Sequence, residues 1–391
     1  MNETVAPVNT IPVARPFMGP EEEAAVVEVL RSGWLSQGRR VAEFEERFAE
    51  YVGAQYAVAV SSCTAALHLA LLISGIGPED EVICPSLSYI ATANSIVHVG
   101  ATPVFADVEP ETYNVNPGGL EQLVTPKTRA ILLVHQIGLP AAINEIRTFA
   151  ARHNLLVIED AACATGSEYF GRRIGAPHGN VACFSFHPRK ILTTGEGGMI
   201  TTASERVAAR LRRLRQHAMS VSAAVRHNAS KVVFESYDEV GHNYRMTDLQ
   251  AAVGLVQLSR MDEFLRRRRY LAGRYSEKLK QLPWLVCPIE PEGSRHNFQS
   301  YMVRLTEAAP LTRDALMQLL LEKGISTRRG VMAIHRELPY RDPHRADWDD
   351  RLPQTALATD RTLILPLFHQ MSEEDQDYII GCIHNIARAA Q

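Results

Sequence analysis

The chain has 391 residues, 46% of them hydrophobic, and a formal net charge of −3 at neutral pH. That length exceeds the usual size of one hydrophobic core and points to two domains, while the small net charge gives no electrostatic case for nucleic acid or an anionic membrane. Six cysteines, at 63, 84, 163, 183, 287 and 382, form neither a CxxC pair nor a zinc spacing, so no metal site is expected and the thiols read as reduced.

Residues 1–16 lack a basic stretch followed by an apolar core, and no apolar run is long enough to span a bilayer; the cytoplasm is the default location. The first strand-like run is 57–60. Ser61, Ser62, Cys63 and Thr64 then open an Ala/Leu-rich amphipathic helix. Its positive end, with free N–H groups and the Ser62 and Thr64 hydroxyls, reads either as a phosphate cradle or as an ordinary capped helix. A second run, 81–84, precedes Tyr89, which is placed to stack on a flat ring or simply to start a helix. Runs at 102–105 and 130–134 follow, and the run 155–158 ends in Glu159 and Asp160 before small residues that include Cys163. An acid at the carboxyl end of a strand can keep a proton on a heteroaromatic nitrogen, or can cap a helix.

The runs 181–186 and 199–202 bracket Lys190 and a turn containing Gly195, Gly197 and Gly198. A lysine isolated there is a candidate Schiff-base former, and to attack a carbonyl it needs a pKa lowered by desolvation or a neighbouring cation. The alternative is a surface lysine in a Gly-rich hairpin. His187, three residues earlier, is a further site candidate for handling protons.

Strand-like and helix-like segments alternate, which predicts a parallel-rich sheet with helices on both faces. The arginine runs 210–215 and 266–269 read as solvated helix faces, and 220–234 as a loop. The amphipathic stretch 247–279 predicts one or two long helices leading to a second unit. A division into 1–250 and 251–391 is expected, the latter holding a smaller α/β domain.

Taken together, Phe184-Ser-Phe with Lys190, the turn Thr193-Thr-Gly-Glu-Gly-Gly198 and the segment Gly241-His-Asn-Tyr-Arg-Met-Thr-Asp-Leu-Gln-Ala-Ala-Val-Gly254 resemble the PLP-dependent sugar aminotransferases of the DegT/DnrJ/EryC1/StrS type, within fold type I. The resemblance runs from Gly33-Trp-Leu-Ser-Gln-Gly38 to Leu363-Ile-Leu-Pro-Leu-Phe368. It implies an α/β fold type I transferase: a large domain with a mainly parallel mixed sheet flanked by helices, plus a smaller C-terminal α/β domain.

The resemblance also implies roles. Lys190 is the lysine that carries pyridoxal 5'-phosphate (PLP), Asp160 partners its ring nitrogen, and Tyr89 stacks on the ring. Ser62, Cys63, Thr64 and Ser185 match phosphate-binding positions. Asn243 matches an asparagine that reaches the phosphate from the other subunit of a homodimer, so the active site would be shared. Trp34, Arg245 and His335 are candidates on the substrate side, His335 touching substrate or capping a turn. Two positions depart from the pattern: Cys63 stands where glycine is common, and Cys163 where Gln or His lies near the cofactor's phenolic oxygen. The implied reaction moves an amino group from L-glutamate, through pyridoxamine 5'-phosphate, to a keto group of a nucleotide-linked sugar, with a 4-keto-6-deoxyhexose favoured. A lyase of the family would carry histidine in place of Lys190. A keto-cyclitol aminotransferase and a non-catalytic PLP-binding regulator remain as alternatives, the latter without any appended DNA-binding segment.

Overall fold

The computed structural model describes residues 10–221, 226, 229–341 and 347–389. In chain order the first strands are β1 (Tyr56–Val60), β2 (Glu81–Pro85), β3 (Thr102–Ala106), β4 (Thr128–Val134) and β5 (Leu156–Asp160), then the short β6 (Glu168–Tyr169) and β7 (Arg172–Arg173), then β8 (Val181–Ser185) and β9 (Gly198–Thr202). Seven of these form one sheet in the order β1-β9-β8-β5-β4-β2-β3. Neighbours from β3 through β8 are parallel, while β9 runs antiparallel to both β8 and β1. All seven runs expected from the sequence are present within two residues of their bounds, and the mainly parallel mixed sheet is the expected one.

Helices α1 (Pro20–Ser32), α2 (Arg39–Val52), α3 (Cys63–Ile73), α4 (Ala91–His98), α5 (Ile143–Arg152) and α6 (Glu205–Leu214) flank the sheet. The period-two pattern of the strands assigns each side chain to a face. Val58 and Val60 of β1 pack with Leu67 of α3, Ile96 of α4 and Leu211 of α6. Ala57 and Ala59 of the same strand point the other way, toward Phe44 and Phe48 of α2 and toward Phe184 and Phe186.

The stretch 247–279 is two helices, Asp248–Ser259 and Met261–Leu279, meeting at Arg260. Beyond them β10 (Leu285–Val286), β11 (Ser294–Arg295), β12 (Tyr301–Leu305), β13 (Arg328–Arg329) and β14 (Thr362–Leu365) follow. Four of these form an antiparallel sheet in the order β10-β12-β14-β13, whereas β11 pairs back with β6. A division at residue 250 would cut the helix Asp248–Ser259. Along the helix Met261–Leu279, Met261, Phe264 and Leu265 belong to the core under the large sheet, and Leu271, Ala272, Tyr275 and Leu279 to the core under the small one. We propose that the two units divide within that helix. Residues 222–225 and 227–228 of the expected loop lie outside the described residues, and 229–234 carry neither helix nor strand. Among the described residues no helix is long and apolar enough to cross a membrane.

Two arginines leave the solvated faces expected of them. Arg215 is 4% exposed and pairs with the buried Glu45, whose carboxylate also takes Ala59 N–H at 3.0 Å. Arg268 is 5% exposed and donates to the carbonyls of Phe298 and Gln299 at 2.9 and 2.8 Å. In both cases buried carbonyl or carboxylate oxygens accept from the guanidinium, although Arg215 Nε has no partner among the described residues.

A buried acid joins distant segments. The N-cap position of α2 is Gly38, which has no side chain to cap with. Asp248, 4% exposed, supplies the missing acceptor, taking N–H bonds from Gly38, Arg40 and Val41 at 2.8, 3.2 and 3.0 Å. Asp248→Ala leaves those donors unpaired and should cost about 2–3 kcal/mol of stability, with a smaller loss for Asp248→Asn. Denaturant midpoints at unchanged slope would measure this; an unmoved midpoint would contradict the capping role.

Candidate active site

A cavity of about 570 Å³ opens at the carboxyl ends of β1, β2, β4, β5 and β8, lined among others by Ser62, Cys63, Thr64, Tyr89, Asp160, Cys163, Ser185, His187 and Lys190. A parallel sheet produces such convergence because each strand hands the chain to its loop at the same edge. Nine of the expected site residues therefore meet although 128 positions separate Ser62 from Lys190 along the chain.

The floor of one end is the start of α3. Ser62 Oγ accepts Ala65 N–H at 3.1 Å and Ser62 C=O accepts Ala66 N–H. The N–H groups of Cys63 and Thr64 remain as the helix's outward donors, where the macrodipole favours an anion. Gly198 of β9 presses against this turn: a Cβ there would stand 2.5 Å from the Ser62 carbonyl carbon and 2.8 Å from Cys63 N. Cys63 is the first helical residue, so it does not need the conformational freedom of the glycine common at that position. Its thiol turns inward to Cys183 C=O at 3.7 Å, and burial pushes it well above the ordinary thiol range.

At the other end Asp160 closes β5, 5% exposed. Its Oδ2 accepts from Thr92 Oγ1 at 2.9 Å and its Oδ1 from Ala162 N–H at 3.1 Å. Thr92 is itself tied to Ser88 Oγ at 2.8 Å. Burial pushes the Asp160 carboxyl above its ordinary range, against the pull of those hydrogen bonds and of Lys190 and His135. A carboxylate so placed is stabilised by a further buried cation.

Lys190 Nζ donates to Cys163 Sγ at 3.0 Å. Burial opposes its charge, but Cys163, Cys63 and Asp160 outweigh burial and hold the ammonium above its ordinary value. The lowered pKa expected from the sequence is not found, because the neighbours are potential anions rather than cations. His187 is driven the other way, downward, by burial and then by Arg189, and its Nδ1 accepts Arg189 N–H at 3.2 Å. Tyr89 stands on the cavity wall 66% exposed, its ring face free for a planar partner.

Four expected residues lie elsewhere. His335 is 2% exposed, with Nδ1 on Ser86 Oγ at 2.7 Å and Nε2 on Asp349 at 2.8 Å. Both ring nitrogens are committed, so it anchors its turn and does not face substrate. Trp34 packs over Gly38 and donates from its ring nitrogen to Gln37 C=O at 3.1 Å. Asn243, exposed and bridged to Gln216, and Arg245 do not line the cavity. The sequence reading in turn missed Thr92, Gln299, Arg189 and Arg328. Thr92 lay within reach, four positions from Ser88 on the next helical turn, whereas nothing local marks Gln299.

These residues fit the pyridine cofactor that the resemblance implies. A backbone cradle suits a phosphate, a buried carboxyl suits a ring cation, an exposed ring suits a stack, and an amine stands between them. The model of the DegT/DnrJ/EryC1/StrS aminotransferase family matches residues 16–384. The spore coat polysaccharide biosynthesis protein SpsC of Bacillus subtilis (strain 168) is 41% identical over 382 residues, 97% of this chain and 98% of that one. The structure of the aminotransferase TlmJ from Streptoalloteichus hindustanus superposes with a TM-score of 0.88 at 34% identity, covering 97% of this chain and all of that one. Spr1654 from Streptococcus pneumoniae in its PMP form gives a TM-score of 0.90 at 28% identity, with coverage of 97% and 100%. On this evidence the chain belongs to the DegT/DnrJ/EryC1/StrS aminotransferase family and is a PLP-dependent aminotransferase.

Proposed function

We propose that the protein transfers the amino group of L-glutamate to the keto group of a nucleotide-linked sugar, a 4-keto-6-deoxyhexose, to make an amino sugar in the cytoplasm. The observation that carries the reading is the charge at the cavity mouth. Arg189, Arg328 and Arg329 line it together. Arg329 reaches Glu337 at 3.7 Å, whereas Arg189 and Arg328 have no carboxylate within ion-pair distance among the described residues. Burial, then the neighbouring Arg189 and Arg329, pull the Arg328 guanidinium below its ordinary value. Unbalanced guanidiniums favour an anion, and the diphosphate of a nucleotide-linked sugar offers two phosphates beside a neutral sugar. The name of SpsC, a polysaccharide biosynthesis protein, supports a sugar substrate.

In this reading Thr92 and the Ala162 N–H favour the ionised Asp160 carboxylate against the pull of burial, and the cation of the ring nitrogen would complete its stabilisation, so that Asp160 keeps a proton there. PLP, when bound, supplies an electron sink for the carbanion formed at the donor's α-carbon. Lys190 Nζ, in its neutral form, would be the group that moves the proton between the donor's α-carbon and C4′ of the cofactor. The α3 N-terminus and Ser185 hold the phosphate, and Tyr89 covers the ring. Cys163 Sγ keeps the lysine amine over the site while it carries the proton.

Asn243 suits a partner's site better than its own, because it is exposed and outside the cavity. Val232, Phe234 and Val240, each more than 80% exposed, lie close by in sequence and offer apolar surface for a second copy. These features support a homodimer with shared sites as part of this reading.

Adding L-glutamate to the PLP-loaded protein should convert the cofactor's visible absorbance to the pyridoxamine form, and one nucleotide-linked 4-keto-6-deoxy sugar should reverse it. Lys190→Ala should lower turnover by at least about 10³-fold. If no keto sugar of this class reverses the change, the substrate assignment falls. For the dimer, mixing inactive Lys190→Ala with Asn243→Ala chains should restore activity, since each hybrid dimer holds one site with both residues intact. Mixtures no more active than their components would mean that Asn243 acts within its own chain or not at all.

A further inference from the structure

Asp160 ends β5 and Lys190 lies on the loop after β8, and residues 296–300 bond the chain beside both. Asn297 is fully buried and donates from Nδ2 to the carbonyls of Cys163 and Thr165 at 2.8 and 3.0 Å, gripping the loop that follows Asp160. Its Oδ1 accepts Gln299 N–H at 2.7 Å. Gln299, 8% exposed, then straddles the lysine: Oε1 accepts Ile191 N–H at 3.0 Å and Nε2 donates to Arg189 C=O at 2.6 Å. From behind, the Met261–Leu279 helix holds the segment through Arg268, on the carbonyls of Phe298 and Gln299, and through Arg269, on His296 C=O at 3.0 Å. Asn297 has no room to yield, since a Cβ on Gly138 would stand 1.9 Å from its Oδ1.

We infer that Gln299 is a positioning residue for Lys190: it holds the main chain on both sides of the lysine and, through Asn297, fixes the amine's place relative to the loop of Asp160. The inference rests on the reading that Lys190 carries the cofactor. An amide is the side chain that meets this demand, because one group must be accepted and another donated within a few ångströms. A carboxylate would set an oxygen against Arg189 C=O, and an apolar side chain would leave two buried main-chain groups unpaired. Catalysis is sensitive to such placement, since shifts near 1 Å can cost on the order of 100-fold in rate.

The test uses the PLP-loaded full chain with Gln299→Leu, Gln299→Glu and, in parallel, Lys190→Ala. Gln299→Glu keeps the acceptor for Ile191 N–H and most of the volume, so it stands in if Gln299→Leu fails to fold. Three readings are taken: the PLP dissociation constant, kcat and KM with L-glutamate, and the pH at which the bound cofactor's visible absorbance changes. Expected are PLP affinity within about 3-fold of wild type, because the phosphate cradle is untouched, a kcat lower by on the order of 10-fold to 100-fold, a KM that moves little, and a displaced absorbance midpoint. A wild-type kcat and midpoint, or a loss of kcat that merely tracks the fraction of folded or cofactor-loaded chain, would overturn the positioning role. If Lys190→Ala retains the wild-type visible band and turnover, the fault lies with the assignment of Lys190 and not with Gln299.

Discussion

The carboxyl of Asp160 is the constraint around which the site is arranged. Removed from water, it is stable as an anion only while hydrogen-bond donors and cations surround it. Thr92, the Ala162 N–H and the lysine opposite supply that surrounding, from helix α4, the turn after β5 and the loop after β8 respectively. The strand order makes this possible: β5 lies near the middle of the sheet, between β4 and β8. Its end is therefore flanked by other strand ends and covered from above by the second half of the chain.

That second half is more than a lid. Asp248 completes α2, Arg268 and Arg269 fix the segment 296–300, and the segment in turn fixes the loops of the acid and the lysine. Bonds of this type connect side chains to main chain over long sequence distances. They tie the position of the reacting groups to the packing of the Met261–Leu279 helix, whose two ends belong to different cores. Motion between the two units would therefore be felt at the lysine before it was felt at the phosphate cradle.

Much of the fold and of the cofactor site was legible because its signals are local. Apolar runs ending in small, hydroxyl or acidic residues mark strand ends in the sequence, and strand ends are where Ser62, Asp160, Ser185 and, just beyond, Lys190 are found. Membership in a family-like motif was a poorer guide. His335 and Trp34 were singled out through the resemblance, yet one is locked between Ser86 and Asp349 and the other covers Gly38. The arginine run 266–269 misled for a related reason: charge in a helix suggests solvent, but a guanidinium can be buried when main-chain carbonyls receive it, as at Arg268. Gln299 bonds a residue 108 positions away, and such a contact leaves no periodicity to read.

The cradle at the start of α3 is main chain laid against main chain, with Gly198 beneath the Ser62–Cys63 peptide. Its shape is thus recorded less in the cradle's own side chains than in a missing one on the strand below. Drift at position 63 is cheap, as its cysteine illustrates. Position 198 admits no side chain, so a comparison of cradle residues alone would overlook the position that constrains the cradle most.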